Sequence, residues 1–372
     1  MFALPVLLPL VWLIGLLALV VLGFGAFLVV GFLVGAVAGT AVLVTGIGLL
    51  MVAFLGRFLV LLSKRGSEDE PDEERTGSVE RIRRPDGTEL QVEVYGASAA
   101  PTLLLTHGWG SDSTQWYYLK RSLADHFRVV VWDVRGLGKS SEAPDGDYSL
   151  DRMADDLEAV LDFTGDPRTI VVGHSMGGML ILRLCRRIER LADKVSGLVL
   201  ANTTHVNPVR TTAAGNLLAA LERPVIVPLL HLTKWLFPVV WLMNWLSYMN
   251  GTMHLMLALT GFAGTESRGQ LDRVATLGVR QHPGVLARQG LAMLELNELE
   301  TLFSVRVPVL LLTADRDRVT VPQASEEIRR KTEATELVTL APSGHMSVFE
   351  QHAAFSDAIR ASATSETGAI AS

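Results

Sequence analysis

The sequence predicts a mostly parallel α/β sheet covered by helices on both faces, preceded by an apolar helical hairpin. Three observations predict it. Apolar runs of buried-strand length recur at 102–106, 127–133, 169–173, 195–202, 308–314 and 336–340. Stretches with helical spacing, such as 151–163 and 176–187, lie between most of them, and the first 62 residues carry Arg57 as their only charge. Continuous apolar strands that alternate with helices describe a sheet buried on both faces. In such sheets chemistry gathers at the carboxyl ends of the strands.

A chain of 372 residues has room for one domain of about 250 to 300 residues and an appendage. Apolar residues make up 49% and charged residues 19%, so unevenly spread that the opening segment is a separate physical object. The net charge is −6 and no Lys/Arg cluster lies among aromatic residues, which argues against nucleic acid as a partner. Cys185 is the single cysteine, which excludes an internal disulfide and a thiolate metal cage and fits a reducing compartment.

Residues 1–62 are dominated by Leu, Val, Gly, Ala and Phe. A secretory signal has a basic start and an apolar core of roughly 7 to 15 residues ahead of its cleavage site. This stretch has neither the basic start nor the short core, so it is expected to remain as a membrane element. One pass takes about 20 apolar residues. Two passes are therefore expected, near 5–30 and 35–62, and the glycines at 15, 23, 25, 31, 35, 39, 46 and 48 let their backbones approach closely. Lys64 and Arg65 follow the second pass and Arg57 can snorkel toward them, which by the positive-inside rule puts the following domain on the cytoplasmic face. Residues 67–74 are a charge block with no apolar periodicity, and 63–77 are expected to form a solvated acidic linker. Removal of 1–62 is then expected to leave a soluble, active domain.

Beyond the linker, 79–84 and 88–95 flank the turn tripeptide Pro85-Asp86-Gly87, which predicts a β-hairpin. The decisive motif follows. Val171-Val172-Gly173-His174-Ser175-Met176-Gly177-Gly178 reads as a strand, then Gly-x-Ser-x-Gly, then a helix. A serine on so sharp a turn needs glycine two residues to either side, because side chains there would clash. Ser175 is the candidate nucleophile.

A serine hydroxyl needs a base to attack an acyl carbon, and the base needs a third group to orient it, in the chain order acid and then histidine. His345, in a loop just past the 336–340 strand, is the candidate base. His174 is locked beside Ser175, His205 precedes the acid in the chain, and His126, His231, His254, His282 and His352 fall in helical or inserted segments. The 308–314 strand ends in Asp315-Arg316-Asp317-Arg318. Asp317 lies deeper in the loop, ahead of Pro322 at a helix start, and is the candidate acid with Asp315 in reserve. The strand before the insertion ends in Ala201-Asn202-Thr203 and offers no carboxylate.

The developing oxyanion needs backbone N–H donors. One is expected from Met176 and the other from the loop His107-Gly108-Trp109-Gly110. With His-Gly-x-Gly after the third strand, Asp133-x-Arg135-Gly136-x-Gly138-x-Ser140 after the fourth, the Gly-His-Ser-Met-Gly-Gly elbow, the Asp loop and the late Gly-His, the chain resembles the α/β-hydrolase superfamily over about 78–361. The resemblance implies that Trp109 and Met176 supply the oxyanion hole. It implies a hydrolase domain over 78–361 with a helical lid at 203–302, and leaves 362–372 as an expected disordered tail. Relatives that open epoxides or displace halide carry Asp at the elbow, whereas position 175 is Ser. The 133–140 stretch is expected to turn the chain and not to act on substrate.

The expected activity is cleavage of acyl esters, lipid-like ones, by a membrane-anchored serine hydrolase working through an acyl-enzyme. Acyl transfer and thioester cleavage use the same residues, and an inactive membrane scaffold is the alternative from outside catalysis. No Gly-rich phosphate loop, dinucleotide fingerprint or metal-ligand spacing is present, so no cofactor is expected. Within the lid, 235–264 lack any charge and include Trp235, Trp241 and Trp245. A single pass there would separate Ser175 from Asp317 and His345. Two readings remain for these helices: ordinary packing on the core, or a place in the lipid interface that admits substrate from the bilayer.

Overall fold

Glycine sets how closely the first two helices meet. The computed structural model describes residues 8–187, 191–332 and 335–370, and opens with α1 (Leu8–Leu33) and α2 (Thr40–Leu62). Both are long and apolar enough to cross a membrane. They fold back on each other where Gly25 faces Gly46, so close that a Cβ on Gly46 would stand 3.1 Å from the Gly25 carbonyl oxygen. The expected hairpin is present, with its turn at 34–39.

The remainder is built on one eight-stranded sheet: β1 (Ser78–Arg83), β2 (Glu89–Tyr95), β3 (Thr102–Thr106), β4 (Arg128–Trp132), β5 (Ile170–His174), β6 (Gly197–Ala201), β7 (Val309–Ala314) and β8 (Thr335–Leu340). The order is β1-β2-β4-β3-β5-β6-β7-β8, antiparallel across β1, β2 and β4 and parallel from there on. Every residue of β3, β5, β6 and β7 is buried, whereas β1 at the edge is largely exposed. Both faces of the central strands are covered, which is why they read as unbroken apolar runs.

Alternate side chains serve the two faces. Leu104, Val130 and Val171 join a core with α4 (Leu150–Thr164) and α5 (Met176–Arg187). Leu103, Leu105, Val129 and Val131 join another with α3 (Tyr117–Leu123) and α15 (His352–Ile370). α13 (Pro322–Lys331) and the single turn α14 (Ser347–Glu350) complete the C-terminal part. The segment expected as a tail continues α15 as far as Ile370, and residues 371–372 lie outside the described residues. Buried Phe355, Ile359 and Ala363 anchor this helix on the core.

Between β6 and β7 lies the insertion: α6 (Gly215–Leu221), α7 (Val227–Trp235), α8 (Phe237–Met249), α9 (Thr252–Thr260), α10 (Arg268–Arg280), α11 (Pro283–Leu294) and the single turn α12 (Leu299–Leu302). The chain bends by 102° between the Gly215–Trp235 and Phe237–Met249 segments. Trp235, at that bend, is 76% exposed and Trp241 is exposed as well, while Trp245 packs edge-on against Tyr248.

The hairpin is clasped by this insertion. Trp12 Nε1 donates to Thr233 Oγ1 at 3.0 Å in a buried contact. Gly15 leaves space for Met243, and a Cβ on Gly56 would stand 3.0 Å from the Asn250 carbonyl carbon. Arg57 lies 4.7 Å from the centre of the Tyr248 ring, a cation–π contact.

The acidic linker departs most from expectation. Pro71 is buried, Tyr118 donates to the Asp69 carbonyl at 2.7 Å, and Lys120 donates to the Glu74 carbonyl at 2.6 Å. Glu73 pairs with Arg273 and Arg280, and Arg75 with Glu93 and Asp133. Lys64 pairs with Glu266 at 2.5 Å. The segment is a docked strap and not a solvated tether, because the domain presents charges of the opposite sign along its course.

Candidate active site

Ser175 sits between β5 and α5 with φ 53°, the left-handed region that a non-glycine residue occupies only under constraint. A Cβ on Gly173 would stand 2.5 Å from the Gly177 carbonyl carbon, and one on Gly177 would run into the Thr106 carbonyl oxygen. Thr203 Oγ1 donates to the Ser175 carbonyl at 2.7 Å, and the Ser175 N–H donates to the Ala201 carbonyl at 2.9 Å. Both bonds tie the turn to the end of β6, and β3 packs against it at the Thr106 carbonyl.

Three of the residues singled out in the sequence meet here. His345 Nε2 lies 3.0 Å from Ser175 Oγ, and His345 Nδ1 lies 2.9 Å from Asp317 Oδ2. All three side chains are buried. With the imidazole neutral and protonated on Nδ1, the Asp317 carboxylate accepts from one ring nitrogen and the Ser175 hydroxyl donates to the other. Such a line can take a proton from the hydroxyl and stabilise the resulting imidazolium. Asp315 stays apart: it is exposed and accepts from the Ser343 N–H at 2.8 Å.

Burial alone would raise the Asp317 carboxyl, but His345 and hydrogen bonds from His345, Thr320 and Asn202 hold it below the ordinary carboxylate value. Asn202 is a functional residue that reasoning from the sequence missed. It directly follows β6 with φ 46°, donates from Nδ2 to Asp317 Oδ2 at 2.9 Å, and accepts from Ser347 Oγ at 2.6 Å. Its one signal in the sequence is an amide at a strand end.

Trp109 shares with Ser175 a cavity also lined by Gly108, Gln115, His345 and Met346, and Met176 follows Ser175 directly at the start of α5. The Met176 N–H belongs to the first turn of α5, whose leading N–H groups have no partner within the helix. Gly108 is tight, since a Cβ there would lie 3.3 Å from the Ser175 Cβ. The loop is fixed by His107, which donates from Nδ1 to the Gly108 carbonyl at 2.8 Å and accepts the Val134 N–H on Nε2 at 3.0 Å. The cavity measures about 10 Å³, room for one water. A larger one of about 630 Å³, lined by Asp151, Arg183, Arg186 and Glu300, holds none of these residues.

The remaining polar motifs hold the frame. His174 Nε2 donates to the His345 carbonyl at 2.9 Å, and burial together with the nearby His345 pushes its imidazole down to about 3. Asp133 accepts the Ser113 and Lys139 N–H groups at 2.7 and 2.8 Å, and Arg135 pairs with Asp86 and Asp156. The 133–140 stretch turns the chain, as expected.

A sheet of this order, with a serine elbow after its fifth strand and a helical insertion after its sixth, defines an α/β hydrolase. The family model of the alpha/beta hydrolase fold matches residues 101–223. RutD of Serratia proteamaculans (strain 568), a candidate carbamate hydrolase, is 30% identical over 203 residues, covering 50% of this chain and 74% of that protein. The protein of the same name from Agrobacterium fabrum (strain C58) is 34% identical over 115 residues, 30% of this chain, and the chain spans only 43% of its length. Among solved structures, a thermophilic esterase from Thermogutta terrifontis superposes with a TM-score of 0.64 at 23% identity, covering 78% of this chain and 99% of that one. The chain belongs to the α/β-hydrolase family, and it is a hydrolase.

Proposed function

We propose that the protein is a membrane-anchored serine hydrolase that cleaves carboxylic esters, lipid-like ones, through an acyl-enzyme on Ser175. The observation that carries this reading is the buried line from Asp317 through His345 to the Ser175 hydroxyl, with spacings of 2.9 and 3.0 Å. Ser175 Oγ attacks the ester carbonyl as His345 Nε2 takes its proton, and Asp317 holds the ring and stabilises the imidazolium. The oxyanion forms between the N–H groups of Trp109 and Met176. The imidazolium then protonates the departing alcohol, and a water activated by His345 releases the acid.

The apolar hairpin supports the anchoring, and Lys64 and Arg65 at its end support a cytoplasmic placement of the domain. Exposed Trp235 and Trp241 on the insertion support a lipid-like substrate. Labelling of the full-length protein with a short-chain fluorophosphonate tests the chemistry. The unmodified protein is expected to react and Ser175→Ala to remain unlabelled; equal labelling of the two would remove Ser175 from its role. Product analysis with competing alcohols separates hydrolysis from acyl transfer.

A further inference from the structure

Two small cavities lie toward the two ends of one helix. The first contains Ser175 and is closed on one side by Met346. The second, also about 10 Å³, lies between α1, α8 and α9, with Val11, Ile14, Asn244, Ser247, Met253 and Met256 in its lining. α9 connects them. Met253 and Met256 on this helix face the outer cavity, while Gly261 at its C-terminal end lies against Met346, whose N–H donates to the Gly261 carbonyl at 2.9 Å. From Met256 to Gly261 the helix rises about 7.5 Å.

The material between the cavities is soft. Met253, Leu257, Phe262 and Met346 belong to one buried cluster, and Met256 beside them is buried too. Methionine is unbranched and repacks at low cost, so a row of methionines closes a path without fixing it shut. The outer end reaches the anchor. Val11 and Ile14 belong to α1, Ile14 is half-exposed, and Leu10, Leu13, Leu17, Leu255 and Leu259 are exposed on the same two helices.

We propose that the acyl chain of the substrate reaches Ser175 along α9 after entering between α1 and α9, so that the membrane anchor itself forms one wall of the substrate path. This rests on the reading of Ser175 as an acyl-accepting nucleophile. Met253, Met256 and Met346 are the displaceable plug, and the chain replaces their side chains as it advances. The anchor therefore does more than fix location. It selects for substrates whose chain can leave the bilayer beside α1.

A dodecyl fluorophosphonate carrying a diazirine at the far end of its chain tests this on the full-length protein in phosphatidylcholine nanodiscs. After reaction at Ser175 and irradiation, adducts are expected on α1 near Val11 and Ile14 or on Met253 and Met256. Adducts confined to α11 or to the solvent-facing side of the hydrolase domain would overturn the path. Independently, Met256→Trp is expected to lower the ratio of dodecyl to butyl labelling roughly tenfold and Met256→Ala to raise it. An unchanged ratio in both variants would overturn the path while butyl labelling leaves the nucleophile in place. Failure of the butyl probe on the unmodified protein would overturn the underlying reading and the path with it.

Discussion

Asp317 is ringed by donors. Its Oδ1 accepts the Val319 and Thr320 N–H groups at 2.7 and 2.9 Å, and its Oδ2 accepts from Thr320 Oγ1, Asn202 Nδ2 and His345 Nδ1. A carboxylate so surrounded stays ionised in a buried place. Asp317→Asn is therefore expected to lower kcat about ten-thousandfold, and Asp315→Asn by no more than a few-fold, measured on a short ester. The reverse ranking would transfer the role to Asp315. Asn202→Ala removes one donor from that ring and leaves Ser347 without its acceptor. It is expected to lower kcat about tenfold with KM nearly unchanged, and a pure KM effect would show that Asn202 contacts substrate instead. Ser175 could be found in the sequence because sterics dictate the glycines around it. Asn202 could not, because it acts through one amide in a left-handed conformation, and neither leaves a pattern among neighbouring residues.

Among the elements, the hairpin offers matched glycines. A Cβ on Gly15 of α1 would run into Met243 of α8, whereas a Cβ on Gly23 would meet nothing within 4 Å. Gly15→Leu is expected to force the insertion off the anchor at a cost of about 1–3 kcal/mol, and Gly23→Leu to be silent. Hydrogen exchange in α7–α9 reads the difference; equal protection in the two variants would mean that this contact does not hold the elements together. On α5, burial pushes the Cys185 thiol up to about 12. The native protein is expected to resist maleimide at pH 8 and to react only once unfolded, and prompt native modification would contradict that burial. Strand and helix positions were legible because burial on both faces and on one face write different periods into the sequence. The strap was not, because a run such as Glu73 to Arg75 does not say that Arg273, Arg280 and Glu93 wait opposite.

At the scale of the molecule, the clasp changes what removal of 1–62 does. Trp12, Gly15, Gly56 and Arg57 all contact the insertion, so the truncated protein would bare the faces of α7–α9 that they cover. It is expected to aggregate or to bind liposomes, and a monodisperse truncated protein that ignores liposomes would show that the insertion closes on itself. Acid provides another whole-molecule test. Burial holds His174 at about 3 and keeps His107 below the ordinary imidazole value. Below pH ~6.5 the unfolded chain takes up protons at these positions that the folded chain does not, so stability falls as pH falls. Each such group contributes a slope of about 1.4 kcal/mol per pH unit until its folded value is reached. Melting in detergent is expected at a lower temperature at pH 5 than at pH 7.5, with a smaller difference in His174→Gln. Identical melting at the two values would show that these imidazoles are protonated in the fold.

A free chain of the length of 63–77 would let the domain wander roughly 20 Å from the end of α2. Docked through Pro71, Glu73 and Arg75, and clamped by Lys64 on Glu266, it permits no such excursion. The angle between the hairpin axis and the Ser175 cavity is then a constant of the molecule. If the hairpin spans a bilayer and the substrate is a lipid of that bilayer, the enzyme meets it as a planar detector with a fixed aperture, and encounter is governed by the number of molecules per unit area and their lateral diffusion. Concentration in the surrounding water drops out of the rate.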